Sequence, residues 1–228
     1  DEGMAKYCKV DPDRLAPLVP CMQLPPSCVK DELSNFEHNT ISKRAVAYSC
    51  GALADEGAEV QHDHDSDELK LCRRIAGQAA RQMEGTEVGM GSEGSAYFSP
   101  FFITANAGAR VPARLTGRMI HKAFGGTIYP PTKVWVEPLR ERGEWWADVL
   151  HDCSCYEGQE KDEYLKPWRK LIKWFNENEL LHGAAFVMIG DNPLDDEFKN
   201  SGCVFPRLAL AVTAAGSLVG ICSHVVHT

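Results

Sequence analysis

The chain has 228 residues, of which 44% are apolar, and 32 acidic side chains against 24 basic ones give a formal net charge of −8. That length suits one large domain or a domain with a substantial extension, and the apolar share is ample for a real core. No stretch approaches the unbroken apolar length of a membrane span. The negative balance argues against general affinity for nucleic acid, which depends on Lys and Arg neutralising phosphates.

An acidic chain is better placed to meet a basic protein surface, or one built to hold nucleic acid. Five of the nine cysteines (Cys8, Cys21, Cys28, Cys50 and Cys72) lie in the first third, a pattern suited to a stapled extension in an oxidising compartment. No apolar leader precedes them, so the expectation is a cytoplasmic protein, with secretion as the alternative.

Residues 1–60 are punctuated by Asp11-Pro12, Pro17, Pro20, Pro25-Pro26, Gly51 and Gly57 and show no long periodic element. They read as a helical or irregular extension, cysteine-bearing, that reaches to residue 85. A polar run from His62 to Glu68 then enters an amphipathic helix. Leu69, Cys72, Ile75, Ala76, Ala79, Ala80 and Met83 recur at three- and four-residue steps. Asp65 and Glu68 form a capping pair at its start, and Gly85 closes it.

Val88 to Ser95 is a glycine-rich loop, followed by strand-like Tyr97-Phe98 and Phe101 to Thr104. Ala113 to Phe124 reads as a short helix closed by Gly125-Gly126, Lys133 to Glu137 as a strand, and Arg140 to Leu150 as a helix. A longer helix is expected over about Lys161 to Leu181, with Leu165, Trp168, Leu171, Ile172 and Phe175 on its inner stripe. Pro167 falls near its first turn, where proline is tolerated. Gly183 breaks it, Ala184 to Gly190 reads as a buried strand, and Asp191 to Gly202 as a polar loop.

The last segment, Arg207 to Thr228, alternates around the turn Ala214-Ala215-Gly216-Ser217. Leu208, Leu210 and Val212 share one face of the first strand, and Val219, Ile221, Ser223 and Val225 share one face of the second. Residues 86–228 therefore predict an α+β fold: an α/β/α sandwich with a mainly antiparallel sheet and packed helices. Because the sequence stops on a strand, the terminal carboxylate of Thr228 is expected to be held in place.

Chemistry-bearing groups are scattered. His62 and His64, and Cys153 with Cys155, are zinc-type ligands without the paired spacings of a metal knuckle. His62 and His64 read as a solvated capping loop. Cys222 and His224 share a strand face, so a thiol–imidazole pair fits geometrically. A zinc- or thiol-dependent enzyme built from these six residues is one reading, and a scaffold assembling through residues 1–60 is another. Gly91-Ser92-Glu93-Gly94-Ser95 has the wrong glycine spacing and the wrong element order for a nucleophile elbow.

The segment Thr213-Ala214-Ala215-Gly216-Ser217-Leu218-Val219-Gly220-Ile221, with the ending Val225-Val226-His227-Thr228, resembles the C-terminus of the nuclease A inhibitor family. Met90-Gly91-Ser92-Glu93 is similar to that family's early Met-Ser-Glu loop, and the resemblance covers about residues 86–228. His227 stands where the family is usually acidic, and Gly94-Ser95-Ala96-Tyr97 replaces a second acidic residue and a proline–aromatic pair. The first 85 residues have no counterpart. The resemblance implies a non-enzymatic inhibitor of a Mg-dependent, sugar-nonspecific nuclease, with no cofactor or metal of its own and no direct contact with nucleic acid. It places Glu93 and Thr228 at the nuclease's metal, with Ser92 and His227 as neighbours touching the partner.

Overall fold

The structure, a computed structural model, describes residues 16–17, 41–42, 44–48, 50–55, 58, 62–63, 65–94, 96–130, 132–190 and 204–226. The chain is α+β. In order it forms β1 (Ala16–Pro17), β2 (Ala45–Ala47), β3 (Leu53–Asp55), α1 (Ser66–Gln82), β4 (Glu87–Val88), β5 (Ala96–Tyr97) and β6 (Ser99–Ile103). There follow α2 (Gly117–Ala123), β7 (Val134–Pro138), α3 (Glu144–Asp152), α4 (Gly158–Glu177), β8 (Leu181–Ile189), β9 (Val204–Thr213) and β10 (Leu218–Val226).

Five strands make the main sheet in the order β6-β10-β9-β8-β7, every neighbour antiparallel. The closing hairpin supplies two of its interior strands, with Leu218 opposite Val212 and Val226 opposite Val204. It begins at Val204, earlier than the alternation from Arg207 suggests. All ten residues of β9 are buried, which requires cover on both faces. Phe205, Ala209, Ala211, Ile221 and Val225 pack beneath α3 and α4, among Trp145, Trp168, Phe175 and Phe186. Leu208, Leu210, Val212 and Cys222 face the other way, against Leu115, Ile120 and Phe124 around α2 and against Ile41, Ala45 and Leu53. The layers are thus helices, sheet, then α2 with the small sheet β1-β2-β3.

Helix α1 begins as its sequence requires. The Asp65 carboxylate accepts from the N–H groups of Asp67 and Glu68 at 2.8 and 2.9 Å, satisfying two of the donors a helix start leaves open. Cys72, Ile75 and Ala76 meet Val219 of β10, so this helix is built into the sandwich.

Three expectations are corrected, and that of a helical or irregular extension is narrowed. Among the described residues before α1, the extension holds short strands and no helix. Tyr48 N–H donates to Ala52 O and Gly51 N–H to Tyr48 O, and Gly51 takes φ 85°, closing a turn between β2 and β3. Three-residue strands rich in alanine leave no period to read. Pro167 lies in the middle of α4, because that helix starts at Gly158. The carbonyl its ring cannot serve belongs to exposed Glu163, where water is available. Gly183 does not end α4. The helix stops at Asn178, whose Oδ1 accepts from Leu180 N–H at 3.1 Å. Gly183 instead sits inside β8 at the register shift between His182 and Ala185, with φ 63°. Finally, α3 starts at Glu144 rather than Arg140.

Candidate functional site

Strands β4 and β5 pair antiparallel, Glu87 opposite Tyr97 and Val88 opposite Ala96, which makes the glycine-rich loop the tip of a small hairpin. Met90 and Gly91 have φ of 55° and 71°, a left-handed pair that aims two consecutive N–H groups the same way. Both reach the Asp152 carboxylate at the end of α3: Met90 N–H donates to Oδ2, and Gly91 N–H to Oδ1 at 2.9 Å. Tyr164 of α4 donates its hydroxyl to Oδ2 at 3.2 Å. Met90 tolerates its backbone because its side chain is buried in the core beneath α3 and α4. A Cβ at Gly89 would meet the Asp152 carboxylate, so a larger residue there requires that side chain to shift.

The other side of the loop is tied to β10. β6 accompanies β10 only as far as Cys222, opposite Ser99, and the loop continues that edge. Ser223 Oγ donates to Ala96 O at 3.1 Å, Val226 N–H donates to Ser92 Oγ at 3.0 Å, and Glu93 N–H donates to Val226 O at 2.8 Å. The Ser92 hydroxyl donates its own hydrogen bond to Gly94 O at 2.5 Å. The serine thus folds the loop and binds it to the strand, and Glu93 stays exposed at the tip. Of the four residues expected at a partner site, Ser92 and Glu93 are therefore brought against Val226. His227 and Thr228, which follow it in sequence, lie outside the described residues.

Behind the loop, α3 carries Glu144, Asp148 and Asp152 at four-residue steps along one face. Asp148 is buried, and burial raises its carboxyl from 3.8 to about 6; Arg207 opposes that shift, while Asp152, Glu144 and Glu137 add to it. Arg207 of β9 is wholly buried, which lowers its guanidinium to about 10 against the pull of Asp148. Its Nη1 donates to Pro206 O at 3.1 Å, and its Nε has no partner in the structure. Burial is also the first cause that pushes Tyr164 up, with Asp152 adding to it, and Glu137 is raised by burial and by Glu144. Burial, ahead of neighbouring charge, is what raises all three of these acidic groups.

Sequence reasoning did not find this anchor. Asp152 and Tyr164 lie far along the chain from the loop they hold, and the only local sign was the pair of glycines, Gly89 and Gly91, flanking Met90.

The residues of the enzyme reading are dispersed. Cys153 faces the core beneath α3 and α4, whereas Cys222 faces the opposite side of the sheet. His62 is 8% exposed rather than solvated, with its Nε2 2.6 Å from Thr104 Oγ1. Thr104 follows Ile103, which pairs with Leu218, so six residues of β10 separate that end from His224, roughly 20 Å at strand rise. Burial lowers His224 to about 4, opposite to what a thiolate–imidazolium pair needs. Cys155 is exposed, and His64 lies outside the described residues. Among the described residues no group of three His, Cys, Asp or Glu side chains is arranged to hold a metal ion, and no helix is long and apolar enough to cross a membrane. No protein-family model matches the chain, and no curated protein matches it in sequence.

Proposed function

We propose that this chain is a protein-binding module that inhibits a Mg-dependent, sugar-nonspecific nuclease by presenting the Ser92–Glu93 loop and the segment after Val226 to the enzyme's active site. One observation carries the reading: the 2.8 Å bond from Glu93 N–H to Val226 O, which sets the loop carboxylate beside the end of β10. The partner class comes from the resemblance of the closing hairpin and the Met90–Glu93 loop to nuclease A inhibitors. The physical logic is complementarity. A nuclease cleft is cationic and holds a metal, and carboxylates on a pinned loop stand in for phosphate oxygens at low ordering cost. The net charge of −8 adds long-range attraction for such a cleft.

The test titrates the protein into a Mg-dependent sugar-nonspecific nuclease, alongside Glu93→Gln and a form extended by two residues past Thr228. Stoichiometric inhibition is expected, weakened by at least about tenfold in each altered form, the scale of losing one charge-assisted contact in a buried interface. Absence of inhibition refutes the partner class. Inhibition that survives both changes refutes the site.

A further inference from the structure

We propose that the cleft between α2 and the β2–β3 sheet binds a small organic carboxylate with an apolar body. This site lies at the Leu218 end of β10, the end remote from the Glu93 loop, and it is independent of the nuclease reading. The cleft encloses about 580 Å³, within the range of small-molecule sites. Leu53, Ile103, Met119, Ala123 and Leu218 give it apolar walls. Two cations, Arg110 and Lys122, stand along it, both exposed, and neither forms an ion pair among the described residues. In a chain of net charge −8, none of the described lining residues is acidic. Two exposed cations above an apolar floor, with no acidic side chain among the described lining residues, favour an anion that carries its own hydrocarbon.

The polar groups of the floor are already committed to the fold. Thr104 Oγ1 donates to Cys50 O at 2.5 Å, so the 2.6 Å contact from His62 Nε2 is a donation into the threonine oxygen. The rim is held as well: Ala105 N–H donates to Ser217 Oγ at 2.9 Å, Ser217 N–H to Thr213 Oγ1 at 3.1 Å, and Thr213 Oγ1 to Glu68 Oε1 at 2.5 Å. A ligand therefore enters a formed site and orders little on binding. A monoanionic carboxylate suits the cleft better than a phosphate dianion. The carbonyl end of α2 borders the cleft at Lys122, Ala123 and Gly125, and carbonyl dipoles oppose concentrated negative charge. The Arg110 guanidinium matches two carboxylate oxygens.

The probes are 2-naphthoate and decanoate, each beside its uncharged amide of equal shape, titrated calorimetrically into the full chain. Wild type is compared with the double variant Arg110→Gln, Lys122→Gln, whose exposed positions leave the fold intact. At least one carboxylate is expected to bind one-to-one with Kd below about 1 mM, with its amide about tenfold weaker and the double variant about tenfold weaker for the acid alone. Binding of the naphthoate alone assigns a flat aromatic acid, and binding of the decanoate alone an extended aliphatic one. Equal affinity for acid and amide, an unchanged double variant, or no binding of either acid at about 10 mM overturns the proposal.

Discussion

Asp148→Asn isolates the contest between burial and the Asp148–Arg207 attraction. The carboxyl is 8% exposed, and its pKa is raised from 3.8 to about 6 with burial as the largest cause. The folded chain therefore prefers the protonated acid. That preference is complete below the unfolded value and is lost as pH rises through the folded one. A shift of that size corresponds to about 3 kcal/mol. Asparagine mimics the neutral acid in shape and does not titrate. The stability of the variant minus that of wild type should be small and constant near pH 3.5, then climb by about 3 kcal/mol as pH passes from about 4 to about 7. The assay is urea unfolding followed by the fluorescence of buried Trp145, Trp146 and Trp168 at closely spaced pH values. A difference that stays flat, or falls with rising pH, would mean that Arg207 holds the carboxylate ionised and that the burial argument is wrong.

Asp152→Ala leaves the Met90 and Gly91 N–H groups without their acceptor. It should cost about 2–4 kcal/mol, the sum of charge-assisted bonds discounted for their partial exposure. It should also speed hydrogen exchange at those two amides far more than in the sheet, and equal protection there would refute the anchoring role. Gly220→Ala places a Cβ against the Ala209 carbonyl on the neighbouring strand. Two paired backbones must then separate, so a loss of about 2–3 kcal/mol in urea is expected, and a neutral result would sink that packing argument. Among the described cysteines, Cys155 should alkylate in the native state, with Cys50, Cys72, Cys153 and Cys222 protected until unfolding, as read by peptide mass mapping. Cys72 is the firmest case, since burial pushes its thiol up to about 12 and thiolate is the reactive form.

What the sequence made legible were the elements whose period is written in adjacent residues. The α1 stripe with its Asp65 cap stands where its pattern puts it, and the alternating closing hairpin does too, apart from a start three residues earlier at Val204. The β2–β3 turn was illegible because Ala45-Val46-Ala47 is too short and too uniform to alternate. Gly183 read as a breaker, because a glycine that bends a strand looks the same in sequence as one that ends a helix. At the candidate site, Ser92 and Glu93 were expected from the resemblance of the Met90–Glu93 loop, whereas no local pattern pointed to Asp152 and Tyr164. Their role exists only once α3 and α4 lie across the loop. Arg207 hides for a similar reason: it opens an alternating run like any edge cation, and only the helices beyond β9 bury it.

The position of the closing hairpin in the sheet governs how folding proceeds in time. β6, β7 and β8 are synthesised first, yet neither β6 nor β8 can join a common sheet until β9 and β10 arrive between them. The pairing of Leu218 with Ile103 closes most of the second half of the chain into one loop. Such distant contacts repay their loop-closure cost only late, so this topology favours slow folding. Until the hairpin docks, the nascent chain exposes the apolar faces that Leu208, Leu210, Phe205 and Ile221 later cover. In that interval the exposed apolar surface and unpaired strand edges make the partly folded chain prone to aggregate.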